Sequence, residues 1–120
     1  MARILLAEDD TSMREYLQRA LQRVGYEVEA VGCGTEAMPL LETERFDLLL
    51  TDIVMPGMNG RQLARELQDR LSSLKVLFIT GYSGDAVVHR GRLDSGVSLL
   101  QKPLTQAMLA TKIRDMLDRH

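Results

Sequence analysis

Short apolar or alternating runs of four to six residues recur five times along this chain, each followed by a longer segment. That alternation is the pattern of a parallel β-sheet wrapped by helices. The runs predict strands at Arg3 to Ala7, Glu27 to Val31, Leu48 to Thr51, Lys75 to Ile79 and Ser98 to Gln101. Leu48-Leu49-Leu50 is apolar at every position, as a strand covered on both faces must be, so it belongs at the centre. Glu27 to Val31 alternates and belongs half exposed at an edge.

The segments between the runs carry helical spacing to different degrees. Met13, Leu17, Ala20, Leu21 and Val24 make one stripe on a helix expected to start from a cap at Thr11 or Ser12 and to stop at Gly25. Pro39 lies inside the next segment, about Thr35 to Glu42, so that helix is expected to be short or to start late. Met55-Pro56-Gly57-Met58-Asn59-Gly60 is turn chemistry and opens a helix from Arg61 to Leu71, with Leu63, Leu67 and Leu71 facing in. Residues 81–96 hold four glycines and few good helix formers, which predicts the least regular segment of the chain. A last helix, Thr105 to Leu117, buries Leu109, Ile113, Met116 and Leu117.

The residues that close the runs are not core residues. Glu8-Asp9 follows the first run, Asp52 the third, Thr80 the fourth and Lys102-Pro103 the fifth. Ligands of open α/β sheets bind outside the carboxyl ends of the strands. Three carboxylates, a hydroxyl and an ammonium gathered there suit phosphoryl transfer to a carboxylate with a divalent metal. The metal answers an electrostatic problem, because close carboxylates repel one another and the incoming phosphoryl oxygens. Each residue also has a plainer use. Asp52 can cap the following turn, Glu8-Asp9-Asp10 can complement a helix dipole, Thr80 can simply end a strand and Lys102 can sit on the surface.

Four segments in order, Ile4-Leu5-Leu6-Ala7-Glu8-Asp9-Asp10, Leu50 to Gly60, Phe78-Ile79-Thr80-Gly81 and Gln101-Lys102-Pro103, resemble the receiver domains of two-component response regulators from Arg3 to about Leu117. The resemblance implies a doubly wound, flavodoxin-like (βα)5 fold with strand order 2-1-3-4-5. It implies that Asp52 accepts a phosphoryl group from a phosphohistidine, and that Asp9 binds Mg²⁺ directly, with Glu8 reaching the ion directly or through water. The backbone carbonyl of Val54 completes the protein ligands, while Asp10 only starts the helix. Lys102 reaches a phosphoryl oxygen, with a cis peptide before Pro103, and Thr80 is the switch hydroxyl with Gly81 leaving room beside it. Two positions depart from the common pattern. Leu99 stands where many receivers carry an aromatic, leaving Tyr82 as the nearest ring to shield the phosphoryl group or share in switching. Val54, apolar, cannot position an attacking water, so hydrolysis of the phosphoaspartate is not expected to be fast.

The bulk numbers bound the remaining readings. A chain of 120 residues, 45% hydrophobic and 27% charged, is expected to be one domain spanning residues 1–120. Its net charge of −2 argues against a broad nucleic-acid surface. No stretch approaches the roughly 20 apolar residues of a membrane span, and acidic residues arrive by Glu8, unlike a signal peptide, so a cytoplasmic protein is expected. Cys33 is the only cysteine and reads as a structural or loop thiol; His89 and His120 read as surface residues. The expected partners are a sensor histidine kinase or histidine phosphotransfer protein and a downstream protein target, with a weak homodimer through the last helix left open. The domain would be a switch more than an enzyme. Met1 just before the first strand favours a stand-alone regulator, whereas Thr80 to Leu117 looks closer to hybrid-kinase receivers. A phosphorylation-independent adaptor would be free to lose Glu8, Asp9, Asp52, Thr80 and Lys102. A dehalogenase-type phosphohydrolase would carry Asp-x-Asp, where Asp52-Ile53-Val54 stands. A flavin carrier would want a phosphate loop where Glu8-Asp9-Asp10 repels anions.

Overall fold

A computed structural model describes residues 2–52, 65–66, 74–80 and 97–118. In chain order these form β1 (Arg3–Ala7), α1 (Thr11–Arg23), β2 (Glu27–Val31), α2 (Gly34–Thr43), β3 (Leu48–Asp52), β4 (Lys75–Thr80), β5 (Val97–Gln101) and α3 (Gln106–Asp118). The five strands make one sheet in the order β2-β1-β3-β4-β5. Every adjacent pair is parallel. β1 lies between β2 and β3, so the chain reverses its direction of travel across the sheet there, and the carboxyl ends of β1 and β3 are neighbours.

Side-chain alternation divides the core into two layers. Leu5, Ala7, Leu49, Val76 and Phe78 face α2 residues Ala37 and Leu41. Ile4, Leu6, Leu48, Leu50, Leu77 and Ile79 face Leu17 and Leu21 of α1 and Leu109, Ile113 and Met116 of α3. Helices therefore cover both faces, and Leu48, Leu49 and Leu50 are all fully buried, as a central strand requires. β2 is an edge strand and its residues are half buried or exposed.

Several local expectations are corrected. The cap of α1 is Asp10, not Thr11 or Ser12: its backbone is extended, and its Oδ1 accepts the Met13 amide at 2.9 Å. Val24 lies past the last helical residue and is 39% exposed, so it is not part of the buried stripe. Gly25, at φ 101°, ends that helix in the left-handed region open to glycine. α2 is neither short nor late. It has 10 residues, starts at Gly34 and holds Pro39 in its interior, because Gly34, Ala37 and Leu41 bury one face against the sheet. Pro39 and Thr35 are exposed, so water can reach the carbonyl left without a helical partner. β3 and β4 each run one residue further than expected, and β5 begins one residue sooner. α3 starts after a cap at Thr105, whose Oγ1 accepts the Met108 amide.

Arg65 and Glu66 are helical, within the segment expected to be a helix from Arg61 to Leu71; Leu63, Leu67 and Leu71 lie outside the described residues. So do residues 81–96, His120 and the side chain of Thr80. Among the described residues, no helix is long and apolar enough to cross a membrane.

Candidate phosphoryl and metal site at the carboxyl edge

The register of the central strands sets the site. Ala7 is paired with Thr51, which places Glu8 abreast of Asp52 just past the ends of β1 and β3. Glu8 still belongs to the sheet edge, since its amide donates to the Val31 carbonyl at 3.1 Å. Its side chain turns inward and is only 1% exposed. Oε2 accepts the Asp10 amide at 3.0 Å. Oε1 has no hydrogen-bond partner among the described residues. A buried carboxylate oxygen left in this way costs free energy unless a cation or a proton satisfies it.

Lys102 enters from β5, two strands away from β3. Strands stand about 4.8 Å apart, so a group from β5 must reach about 10 Å to meet Asp52, which a lysine stem can do. Its Nζ lies 3.3 Å from Asp52 Oδ2 and 4.0 Å from Glu8 Oε1. The Lys102–Pro103 peptide bond is cis. Asp52 is 13% exposed and Lys102 28%, so the pair is shielded but open to a ligand. Asp9, on the outer side, is exposed. One oxygen from each of Glu8, Asp9 and Asp52 falls within 4.8 Å of the others.

Burial is the largest cause that pushes the Glu8 carboxyl up from 4.5 to about 7; the Asp10 amide opposes it, the Asp52 charge and the neighbouring Asp9 carboxyl add to it, and Lys102 opposes it again. The electrostatics and the orphaned oxygen agree. Among the described residues, three hard carboxylate donors converge on one point beside the Lys102 ammonium, and these residues fit a divalent metal of the Mg²⁺ type.

The structure brings together Glu8, Asp9, Asp52 and Lys102 of the residues singled out from sequence. Thr80 ends β4, with its backbone in register with Gln101. Leu99 is half buried and packs against the layer containing Phe78, its neighbour across the sheet. Val54 and Tyr82 lie outside the described residues. Cys33 heads α2, with its Sγ 3.0 Å from Thr35 Oγ1, a local contact consistent with a structural thiol. Two polar contacts at the site were not foreseen. The buried Thr51 hydroxyl donates to the Asp52 carbonyl at 3.0 Å. Arg14 Nη1 donates to the Glu8 carbonyl at 2.8 Å. The one available signal for Arg14 was a cation one turn into a helix, at the end where the dipole disfavours it.

Comparison with known proteins gives one family. The model of the response regulator receiver domain matches residues 4–114. A relative named response regulator receiver protein CpdR, from Brucella abortus (strain 2308), is 43% identical over 117 residues, with 98% of each chain covered. The sensor kinase CckA of the same organism is 36% identical over 120 residues; the match takes in 98% of this chain and only 13% of that kinase. Among solved structures, the response regulator TrrA of Thermotoga maritima, in complex with Mg(2+)-BeF, superposes with a TM-score of 0.85 at 29% identity, covering 97% of this chain and 99% of that one. The likenesses span sequence and fold alike: this chain belongs to the response regulator receiver domain family of two-component signalling.

Proposed function

We propose that the chain, one receiver domain over residues 1–120, accepts a phosphoryl group on Asp52 from a phosphohistidine and passes the change to a protein target. A carboxylate oxygen of Asp52 attacks phosphorus, the bond from phosphorus to the donor imidazole nitrogen breaks, and its electron pair leaves with the imidazole. Glu8, Asp9, Asp52 and the backbone carbonyl of Val54 would hold Mg²⁺, which supplies positive charge for the phosphoryl oxygens when bound. Lys102, already 3.3 Å from Asp52, is placed to follow a phosphoryl oxygen once the carboxylate is esterified. Thr80 would be the switch hydroxyl, with Leu99 and Tyr82 as the side chains that answer its movement.

The observation that carries this reading is the buried Glu8 Oε1, which among the described residues has no hydrogen-bond partner and stands beside Asp52 and Lys102. The Mg(2+)-BeF complex of the similar TrrA supports it. The donor would be a sensor histidine kinase or a histidine phosphotransfer protein, and the place of action the cytoplasm. Catalysis would be limited to the domain's own phosphorylation and dephosphorylation.

Incubation with acetyl phosphate, with Mg²⁺ or with EDTA, followed by intact mass and peptide mapping, tests this directly. One added phosphoryl group that maps to Asp52 and disappears with EDTA is expected. No adduct, and no Mg²⁺-dependent binding of beryllofluoride either, would reject phosphorylation and leave an adaptor with the receiver fold.

A further inference from the structure

We propose that Arg14 is a positioning residue for the metal site: its guanidinium fixes the Glu8 carbonyl and so aims the oxygens of Glu8 and Asp9 at one point. This rests on the reading of that site as a Mg²⁺ site. The argument begins with the ladder between β1 and β2. Glu8 donates its amide to Val31, and in a parallel pair the next rung would bring the Cys33 amide to the Glu8 carbonyl. The chain leaves the sheet first, because Cys33 heads α2. Arg14 Nη1 occupies the vacant place at 2.8 Å. A carbonyl at a half-buried strand end needs such a partner.

The peptide plane that Arg14 holds is the one joining the two candidate ligands. Because the plane is rigid, fixing its carbonyl restrains ψ of Glu8 and φ of Asp9 together. Glu8 Oε2 is separately held by the Asp10 amide, and Asp10 is itself tied to Met13. Only Oε1 is left to face the ligand space. Helix electrostatics do not account for the arginine, because a cation near a helix N-terminus opposes the dipole.

Charge and positioning predict opposite signs, which makes the test decisive. As a bare charge near a cation site, Arg14 would weaken metal binding, and its removal would tighten it. As a positioning residue, its removal must loosen it. The measurement is the dissociation constant for MgCl₂ alone at fixed ionic strength, by calorimetry, on the wild type, Arg14→Met, Arg14→Lys and, as the pure-charge comparison, Lys102→Met. Arg14→Met is expected to bind Mg²⁺ about 10-fold more weakly, at the lower end of losses for outer-shell ligand supports. Arg14→Lys, whose ammonium can still donate to the carbonyl, is expected within about 2-fold of wild type, and Lys102→Met is expected to bind more tightly. Melting in EDTA shows whether each variant is folded; should Arg14→Met not fold, Arg14→Leu, which likewise has no donor, takes its place with the same expectation of weaker binding. Equal or tighter binding by the folded neutral variant overturns the proposal, and so does a lysine variant as weak as the neutral one. A wild type that binds no Mg²⁺ overturns the site reading itself, an outcome distinct from the others.

Discussion

Asp52→Asn is expected to take up no phosphoryl group from acetyl phosphate, and Lys102→Met to take it up about a hundredfold more slowly, both read by intact mass at saturating Mg²⁺. The two losses have different origins. Asparagine has the shape of the carboxylate but lacks its nucleophilic oxygen, so the acceptor itself is gone. Methionine leaves the acceptor and removes an ammonium that stands 3.3 Å from it. Negative charge then gathers on the phosphoryl oxygens without that partner, and a preformed charged donor in such a site is worth about 10²–10³ in rate. The metal titration moves the other way for Lys102→Met. That side chain stands 4.0 Å from Glu8 and competes with a cation for the same carboxylates. A Lys102→Met protein that phosphorylates at the wild-type rate would remove the lysine from the mechanism. An adduct on Asp52→Asn would place the acceptor elsewhere.

Much of this site was legible because strand ends announce themselves. The change from Leu6-Ala7 to Glu8-Asp9, and from Leu50-Thr51 to Asp52, marks where the apolar run stops, and a parallel sheet puts those stops on one edge. What pairs the two acids is the neighbouring of β1 and β3, which the resemblance supplied and the sheet order bears out. Less legible were features decided between elements. Asp10, Thr11 and Ser12 are all capable caps; the path of the chain out of β1, with the Asp10 amide bound to Glu8, selects the first. Pro39 argued locally for a short helix, yet burial of Ala37 and Leu41 against the sheet outweighs a break at an exposed carbonyl. Arg14 was hidden for a related reason. Its partner is a backbone carbonyl exposed to it only because β2 ends early, and no side-chain pattern encodes that.

Glu8→Gln should separate the stability and the ligand roles of the buried acid. The folded protein holds the Glu8 carboxyl at about 7, above its ordinary 4.5, with burial as the main cause. Between those values the folded chain binds more protons than the unfolded one. The stability that Glu8 contributes is therefore complete below about 4.5 and is lost as pH rises through about 7. At pH 8 without metal the wild type carries a buried negative charge that glutamine does not. The variant is expected to gain about 1–2 kcal/mol there, seen as a midpoint about 5–10 °C higher for a domain near this size. At pH 4 the two proteins should melt together, because the carboxyl is then protonated in both folded and unfolded wild type. Adding Mg²⁺ at pH 8 should reverse the order: the wild type gains stability by binding, whereas the variant has exchanged a charged ligand oxygen for an amide and gains less. Melting curves at both pH values, with and without MgCl₂, decide this. If the curves of wild type and variant stay parallel across pH, burial of Glu8 does not govern the site, and the orphaned oxygen would have to be satisfied by another group.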